Sequence, residues 1–246
     1  MKVALMGYGK MGRVVERALR ERHIEVVARL NTLEVPVTEE AIKGADVCID
    51  FSHPDVVLKH IGIAAKAGKD LVVGTTGWYD HLDSVGSLVE EAKVGLIYAA
   101  NFSLGMHLFG WVVKEAARLF SQAWGYDCAG YEIHHAEKGD TPSGTAQRLA
   151  EVLIKELPEK EKALYERPKN MILPGQLHFG SVRCGQTPGT HTVLFDSASD
   201  TIELTHRARN REGFGLGAAM AAHWIVGRKG VYELDDMIQV LMKERS

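Results

Sequence analysis

Cysteine is scarce in this chain of 246 residues, and its scarcity disfavours two kinds of architecture. The three cysteines, Cys48, Cys128 and Cys184, are odd in number and widely separated, and none belongs to a Cys-x-x-Cys pair. This pattern argues against a disulfide framework and against a structural zinc site, because both need closely placed or paired thiols. It predicts a protein of the reducing cytoplasm.

Long hydrophobic runs are missing as well, and so is an excess of charge of one sign. The longest apolar stretch, residues 215–227, is interrupted by His223 and falls short of the ~20 residues that span a bilayer. The apolar run at residues 1–6 is too short for a signal peptide. The net charge of −3, with acids and bases mixed, favours neither nucleic acid nor an anionic membrane as a partner. The short basic run 206–211 fits either a solvated surface or an anion contact.

Apolar strands alternate with amphipathic helices over the first hundred residues. The pattern predicts strands at 3–6, 24–30, 46–51, 70–73 and 94–99, with helices at 10–22, 54–69 and 82–93. This alternation is typical of βαβ units, which form parallel sheets. The sequence therefore predicts a doubly wound, Rossmann-type α/β domain.

The pattern changes after Asn101. It predicts helices at 104–121 and 144–157, strands at 127–135, 177–184, 191–195 and 201–205, and a charged loop at 158–174. Consecutive strands joined by short turns predict an α+β domain with an open, mostly antiparallel or mixed sheet. An Ala-rich helix that opens at the glycines of 213–217, and another at 234–243, are expected to return to the first domain.

The motif Gly7-Tyr8-Gly9-Lys10-Met11-Gly12 follows the first strand and opens the first helix. In this context the glycines permit a tight turn, close approach of a pyrophosphate and close packing of the helix on the strand. The helix N-terminus then faces the phosphates. The motif predicts dinucleotide binding, and the alternative is a glycine-rich turn without a ligand.

No acidic residue stands at the end of the second strand, where many dinucleotide folds bind the adenosine ribose. The chain has Asn31 there, and the nearest acid, Glu34, lies further into the loop. A neutral Asn31 would not repel a 2′-phosphate, and Arg29 could attract one. We therefore expect NADPH to be accepted at least as well as NADH.

Two more loops follow predicted parallel strands, at the edge where open α/β sheets bind ligands. They are Gly74-Thr75-Thr76-Gly77 and Ala99-Ala100-Asn101-Phe102-Ser103. Each alone would be an ordinary turn. Behind a dinucleotide motif, they are predicted to contact the cofactor or the substrate.

The block at residues 131–146 combines acid/base groups with an anion site. It holds the pair His134-His135, then Lys138, then Pro142-Ser143-Gly144-Thr145 at a helix start. Imidazole exchanges protons near neutral pH, and the amides of a helix start suit a carboxylate. The block predicts a catalytic site for a small acidic molecule.

The two histidines leave alternatives open. Adjacent residues on a strand point to opposite faces, so either the strand breaks there or one of His134 and His135 is structural. A metal site built from the histidines with Glu132 and Glu137 is conceivable, but neighbours in sequence rarely point at one ion. We predict no metal.

These motifs, together with Asp50-Phe51-Ser52, occur in the order found in one family. The chain resembles the 4-hydroxy-tetrahydrodipicolinate reductases (dihydrodipicolinate reductases) of lysine and diaminopimelate biosynthesis. The most specific part of the resemblance runs from Glu132 through Lys138 to Ala146. The glycine motif is shared by many dehydrogenases.

The resemblance implies a nucleotide domain at 1–103 and 213–246, and a substrate domain at 104–212 that also forms a homotetramer. It implies reduction of a cyclic dicarboxylate by NADPH or NADH, with His134 as general acid/base and Lys138 as proton donor. The residues implied to bind substrate are His135, Gly144 and Thr145, to which the residue pattern itself adds Ser143 and Thr76. Those implied to bind the cofactor are Gly7, Tyr8, Gly9, Lys10, Met11, Gly12, Gly74, Thr75, Thr76, Ala99, Ala100, Asn101 and Phe102, to which the pattern adds Asn31.

Some positions depart from the family pattern, most of them at the adenosine end. The loop 31–45 is short, Lys10 replaces a frequent arginine, Asn31-Thr32 replaces a frequent Glu-Arg pair, and Ala100 stands where proline is common. Two rival functions remain. An aspartate or homoserine dehydrogenase would not need the block 134–145. A catalytically dead dinucleotide sensor would have lost His134, Lys138 or Thr145.

Overall fold

A computed structural model describes residues 1–31, 35–123, 125–166, 168 and 170–244. The chain divides into two units, Met1–Leu104 with Arg211–Ser246, and Gly105–Asn210. The first part of the chain contains β1 (Lys2–Met6), α1 (Lys10–Arg20), β2 (Glu25–Leu30), α2 (Glu39–Ile42), β3 (Val47–Asp50), α3 (Pro54–Lys66), β4 (Asp70–Val73), a short 3-10 helix (Tyr79–His81), α4 (Leu82–Ala92) and β5 (Gly95–Tyr98).

The middle and last parts supply the remaining elements. The middle part contains α5 (Leu104–Phe120), β6 (Asp127–His134), α6 (Gly144–Glu156), β7 (Lys162–Leu164), β8 (Gln176–Arg183), β9 (Thr190–Asp196) and β10 (Thr201–Arg207). The last part contains α7 (Glu212–Ile225), β11 (Gly230–Glu233) and α8 (Leu234–Lys243). Among the described residues, no helix is both long and apolar enough to cross a membrane.

The sheet of the first unit has the order β11-β5-β4-β3-β1-β2, and every pairing is parallel. Every residue of β3 and β4 is buried, as expected for strands covered by helices on both faces. Helix α3 packs Val57, Ile61 and Ala64 into this core, which is the helical spacing of one apolar stripe. The predicted Rossmann-type α/β sheet is confirmed.

Helix α7 belongs to the first unit and lies very close to its neighbours. A Cβ atom added to Gly215 would lie 2.8 Å from the backbone oxygen of Val14 on α1. One added to Gly217 would lie 1.8 Å from the backbone oxygen of Phe102. The small residues of this helix are therefore required for it to pack against α1 and against the loop after β5.

The sheet of the second unit is mixed, with the order β10-β9-β6-β8-β7. The pairs β10/β9 and β9/β6 are antiparallel, and β6/β8 and β8/β7 are parallel. Helix α6 covers this sheet with Ala146, Leu149, Ala150 and Leu153, which contribute to the same core as Phe179 and Phe195. The predicted α+β layer with a mixed sheet is confirmed.

Several expected elements differ in detail. Strands β8 and β9 follow one another in the chain but do not pair, because β6 lies between them in the sheet. Strand β7 lies within the predicted loop 158–174, and β11 was not predicted. Both are short strands whose pairing comes from distant partners, β8 and β5. The expected strand 127–135 ends one residue earlier, at His134.

Candidate active site

The glycine loop is built to bring bare backbone close to its surroundings. Gly7 has φ +92°, and a Cβ added there would lie 2.3 Å from the backbone oxygen of Phe51. A Cβ on Gly12 would lie 2.4 Å from the oxygen of Gly7, so both positions need glycine. A Cβ on Gly9 meets no described atom within 4 Å, so this residue presents open backbone at the start of α1. The loop fits a pyrophosphate.

Four loops of the first unit converge on the side chain and backbone of Phe51. The backbone of Phe51 occupies the space that a Cβ on Gly7 would need, and its ring occupies the space that a Cβ on Gly74 would need. The centroid of the same ring lies 5.8 Å from that of Phe102. The loops follow β1, β3, β4 and β5, which are neighbours in the sheet. The predicted loops 74–77 and 99–103 therefore lie beside the glycine loop, at the carboxyl edge of the sheet.

A buried carboxylate joins two of these loops. Asp50 is fully buried and accepts hydrogen bonds from the Thr75 hydroxyl at 2.5 Å and from the Ser52 backbone at 3.0 Å. Its second oxygen lies 2.7 Å from Nδ1 of the buried His60. The Thr75 side chain is thus engaged in holding the loops together, whereas Thr76 is exposed and open to a ligand.

The loop after β5 offers mainly backbone. Ala99 and Phe102 are buried and Ala100 is exposed. The side-chain oxygen of Asn101 accepts a hydrogen bond from the backbone of Ser103 at 2.8 Å, which shapes the turn. Any contact of Phe102 with a cofactor would therefore use its backbone.

The adenosine end differs from the expectation for Arg29. Asn31 and Val35 exchange two backbone hydrogen bonds, each 2.9 Å long. Thr32 and Glu34 lie outside the described residues. The guanidinium of Arg29 donates two hydrogen bonds to Glu16, from Nε at 3.0 Å and from Nη2 at 2.5 Å. Arg29 is therefore already paired with a carboxylate.

In the second unit, the fully buried Glu132 is the centre of a polar cluster. Its Oε1 accepts hydrogen bonds from Ser143 N (3.0 Å), Ser181 Oγ (2.9 Å) and Arg183 Nη2 (3.1 Å). Its Oε2 accepts from Ser143 Oγ and lies 3.2 Å from His134 Nδ1 and 3.4 Å from His191 Nε2. Burial alone would raise the pKa of Glu132, but these contacts outweigh burial and hold it well below its usual range. The carboxylate is therefore ionised at neutral pH.

The histidine predicted as acid/base belongs to this cluster. His134 lies two residues after Glu132 on β6, so both side chains are on the same, buried face of the strand. The strand ends at His134, and His135 begins the following loop. The pKa of His191 is lowered, chiefly by burial, so His191 is neutral near pH 7. The rings of His134 and His191 meet edge to face at 5.1 Å. An ionised carboxylate beside His134 Nδ1 favours a proton on that atom and leaves Nε2 for chemistry.

The predicted helix start is physically connected to this histidine. Ser143 caps α6 by accepting from Ala146 N at 3.2 Å, and the same residue donates twice to Glu132. Gly144 is exposed and Thr145 is half-buried at the first turn. One carboxylate thus fixes both His134 and the N-terminus of α6.

The loop between β6 and α6 holds the predicted lysine. The Lys138 ammonium donates to Asp140 Oδ1 at 2.6 Å. Burial would raise the pKa of Asp140, but this lysine outweighs it and lowers that pKa. Arg183 anchors the loop from β8, donating to the Asp140 carbonyl at 2.7 Å and to the Thr141 hydroxyl at 2.9 Å. The half-buried Lys138 is therefore tied, through Asp140, to a loop that Arg183 anchors to β8.

The possible metal group differs from the one considered from the sequence. In the described part of the chain, Glu132, His134 and His191 place ligand atoms within 4.8 Å of one another, and His135 and Glu137 are not among them. Six contacts already surround the two oxygens of Glu132, including one from the cationic Arg183. This arrangement disfavours a cation, and the absence of a metal stays a prediction.

The sequence analysis did not assign Glu132, His191, Arg183 or Ser181 to this polar cluster. Glu132 was considered only as a metal ligand, although its position two residues before His134 on a strand places both on one face. His191 lies opposite Glu132 in the β6/β9 register, and Arg183 lies opposite His134 in the β6/β8 register. Neither neighbour could be found without the strand order.

A parallel sheet with a glycine loop at its carboxyl edge, followed by a unit with a histidine–carboxylate cluster, is the arrangement found in Rossmann-type oxidoreductases that use a nicotinamide cofactor. Comparison with family models narrows this class. The model described as "Dihydrodipicolinate reductase, N-terminus" matches residues 1–102, and "Dihydrodipicolinate reductase, C-terminus" matches residues 105–238. The chain belongs to the dihydrodipicolinate reductase family.

Relatives agree with this assignment. The 4-hydroxy-tetrahydrodipicolinate reductase of Christiangramia forsetii is 33% identical, covering 99% of this chain and 100% of its own length. That of Archaeoglobus fulgidus is 36% identical, covering 97% and 100%. The structure is also similar to a dipicolinate-bound dihydrodipicolinate reductase from Paenisporosarcina sp. TG-14, with 25% identity, a TM-score of 0.77 and coverage of 95% and 97%. The predicted family and the predicted class, oxidoreductase, are confirmed.

A more distant likeness concerns the fold alone. A probable dehydrogenase from Thermotoga maritima is 12% identical, with a TM-score of 0.58 and coverage of 96% of this chain and 92% of that chain.

Proposed function

We propose that this chain reduces 4-hydroxy-tetrahydrodipicolinate to tetrahydrodipicolinate with NADPH or NADH, in lysine and diaminopimelate biosynthesis. The observation that carries the proposal is the double role of Glu132, which contacts His134 and binds Ser143 at the start of α6. A proton-transfer group and an anion-binding helix start are thereby held in fixed relation. A substrate that carries carboxylates and gains a proton fits this arrangement.

The first unit supplies the nucleotide site. A bound nicotinamide nucleotide would provide the hydride. The open backbone of Gly9 and the start of α1 suit its pyrophosphate. Exposed Thr76 and Ala100 offer contacts further along the sheet edge. NADPH is accepted at least as well as NADH, because the neutral Asn31 at the end of β2 does not repel a 2′-phosphate.

The second unit binds the substrate. The amides at the start of α6, from Ser143 to Thr145, hold one ring carboxylate. His135 and Lys138 assist in neutralising the dianion. Dipicolinate, the ligand of the Paenisporosarcina relative, is a planar ring dicarboxylate of this type and is a suitable probe.

Proton transfer is assigned to His134 and Lys138. Glu132 lies 3.2 Å from Nδ1 of His134, so the carboxylate holds that edge of the ring. The proton leaves from Nε2 as the substrate ring is reduced. Lys138 gives or relays a proton from the loop, where its ammonium forms an ion pair with Asp140.

A coupled assay tests the function. The purified chain is supplied with the product of the upstream synthase, and NADPH or NADH consumption is followed. Turnover with either nucleotide is expected, and consumption at background with both would refute the assignment.

His134→Gln and Lys138→Ala should lower kcat by ~10²–10⁴-fold, whereas Thr145→Val should mainly raise KM. Full turnover by His134→Gln would contradict its acid/base role.

Assembly is proposed from membership of the family. A homotetramer built through residues 104–212 is the expectation from the family, and light scattering of the purified chain tests it. A cytoplasmic location stays a prediction. Retention of His134, Lys138 and Thr145 argues against a dead sensor, since a sensor has no need for proton transfer.

A further inference from the structure

An ion cluster lies beside the glycine loop and has no part in the proposed proton transfer. Its centre is Glu16 on α1, which is only 4% exposed. The carboxylate accepts from Arg29 Nε at 3.0 Å, Arg29 Nη2 at 2.5 Å and Arg20 Nη2 at 2.5 Å. Its other oxygen accepts from the Tyr8 hydroxyl.

The cluster lies at the junction where a dinucleotide fold receives the adenosine ribose. The backbone nitrogens of Gly7 and Tyr8 both donate to the Leu30 carbonyl, at 2.9 and 3.1 Å, so the glycine loop is fastened to the end of β2. Arg29 precedes Leu30, and Tyr8 lies within the glycine loop. The ribose is bound between these two segments in folds of this kind.

Charge gives the cluster a function. NADPH and NADH differ only in the 2′-phosphate, so their relative affinities report the electrostatic potential at this junction. Arg29 and Arg20 would attract a phosphate, as would Arg13, whose guanidinium carbon lies 5.4 Å from the Tyr8 ring centroid. Glu16 is the buried negative charge among these arginines, and it accepts two hydrogen bonds from the guanidinium of Arg29.

We propose that Glu16 is a specificity-determining residue for the nucleotide, because it sequesters Arg29 and thereby moderates the preference for a 2′-phosphate. The proposal rests on the proposed use of NADPH and NADH. In the parent chain Glu16 cancels one positive charge at the ribose, so the site serves both nucleotides. Without that carboxylate, Arg29 is released and the site favours NADPH.

Binding of nucleotide fragments tests this directly, without substrate. Calorimetry measures Kd for 2′-phospho-ADP-ribose and for ADP-ribose, with the parent chain and Glu16→Gln. The preference for the phosphorylated fragment should rise about 3–10-fold in Glu16→Gln, the effect of one unit charge at partly screened distances. The gain should shrink at high salt. An unchanged or lowered preference would overturn the proposal.

Two further variants keep the test specific. Glu21→Gln removes the same charge from the exposed end of α1 and should change the preference less than twofold. The double variant Glu16→Gln/Arg29→Gln restores the local net charge, so its preference should return to within about twofold of the parent. A preference outside that range in either direction would refute the role given to Arg29.

Failure of the proposed reaction and failure of this inference give different results. If both fragments bind but no nucleotide is consumed in the coupled assay, the reaction is wrong and the Glu16 effect is still measurable. If neither fragment binds the parent chain, the nucleotide site is wrong and the Glu16 proposal falls with it.

Discussion

Gly189 is a residue whose missing side chain leaves room for an imidazole. Its φ is +155°, and a Cβ there would lie 3.0 Å from Nε2 of His134. Gly189→Ala should therefore displace His134 and lower kcat by at least tenfold, with a smaller change in nucleotide Kd. Steady-state kinetics combined with calorimetry separates the two effects.

Gly185 provides the control for backbone strain. It also has positive φ, +52°, in the same connection between β8 and β9, and a Cβ there meets no described atom within 4 Å. Gly185→Ala should lower the unfolding temperature through strain alone and leave kcat within about twofold. Equal losses of kcat in both variants would show that His134 is not the group affected.

The pKa of Glu16 predicts a dependence of stability on pH. Hydrogen bonds from Arg29, followed by that from Tyr8, outweigh burial and lower this pKa from 4.5 to about 2. The ionised form is thus favoured in the folded state, so the stabilisation is complete above pH 4.5 and is lost as pH falls toward 2. The difference in unfolding temperature between the parent and Glu16→Gln should shrink over this interval. A difference that is constant from pH 6 to pH 3 would contradict this linkage.

At the scale of residues, prediction from sequence was limited by long-range pairing. His134, Lys138 and Ser143 lie within one short segment, so their residue types alone predicted a site. His191 and Arg183 come from other strands, and only the β6/β9 and β6/β8 registers bring them to Glu132. Arg29 was expected to be open to a phosphate, since nothing in the local sequence pairs it with Glu16 thirteen positions earlier.

At the scale of elements, helix α6 depends on Ser143 twice. Ser143→Ala removes an N-cap, which costs about 1 kcal/mol, and also removes a donor from the buried Glu132, which costs a further ~1–3 kcal/mol. Thr38→Ala is the control, because the exposed Thr38 hydroxyl caps α2 by accepting from Ala41 N at 3.2 Å. Chemical denaturation should show a clearly larger loss for Ser143→Ala. Equal losses would mean that the Glu132 contact contributes little to stability.

Elements with strong local signals were predictable, and those defined by distant partners were not. Strand β4 and helix α8 have the expected bounds, because buried apolar runs and clear helical periodicity define them. Strand β7 is three residues long within a charged stretch, and it exists through its pairing with β8. The position of β6 between β8 and β9 could not be predicted locally, because two strands joined by a short connection usually lie side by side.

At the scale of the whole molecule, the two units should respond to different ligands. Hydrogen exchange with 2′-phospho-ADP-ribose at 100 times its Kd should protect the glycine loop and α1, with up to about 2.7 kcal/mol of stabilisation. Dipicolinate should instead protect residues 138–146. If either ligand protected only the opposite unit, the assignment of nucleotide and substrate to the two units would be wrong.

The position of β11 has a consequence for the order in which the chain folds during synthesis. Strand β11 completes the first sheet beside β5, although the entire second unit lies between them in the chain. As the chain leaves the ribosome, β5 remains an unpaired edge and Phe102 lacks the cover of α7 until the last segment emerges. The second unit is continuous in sequence and can finish first. A chain interrupted near residue 210 would carry a complete second sheet and an unfinished first one.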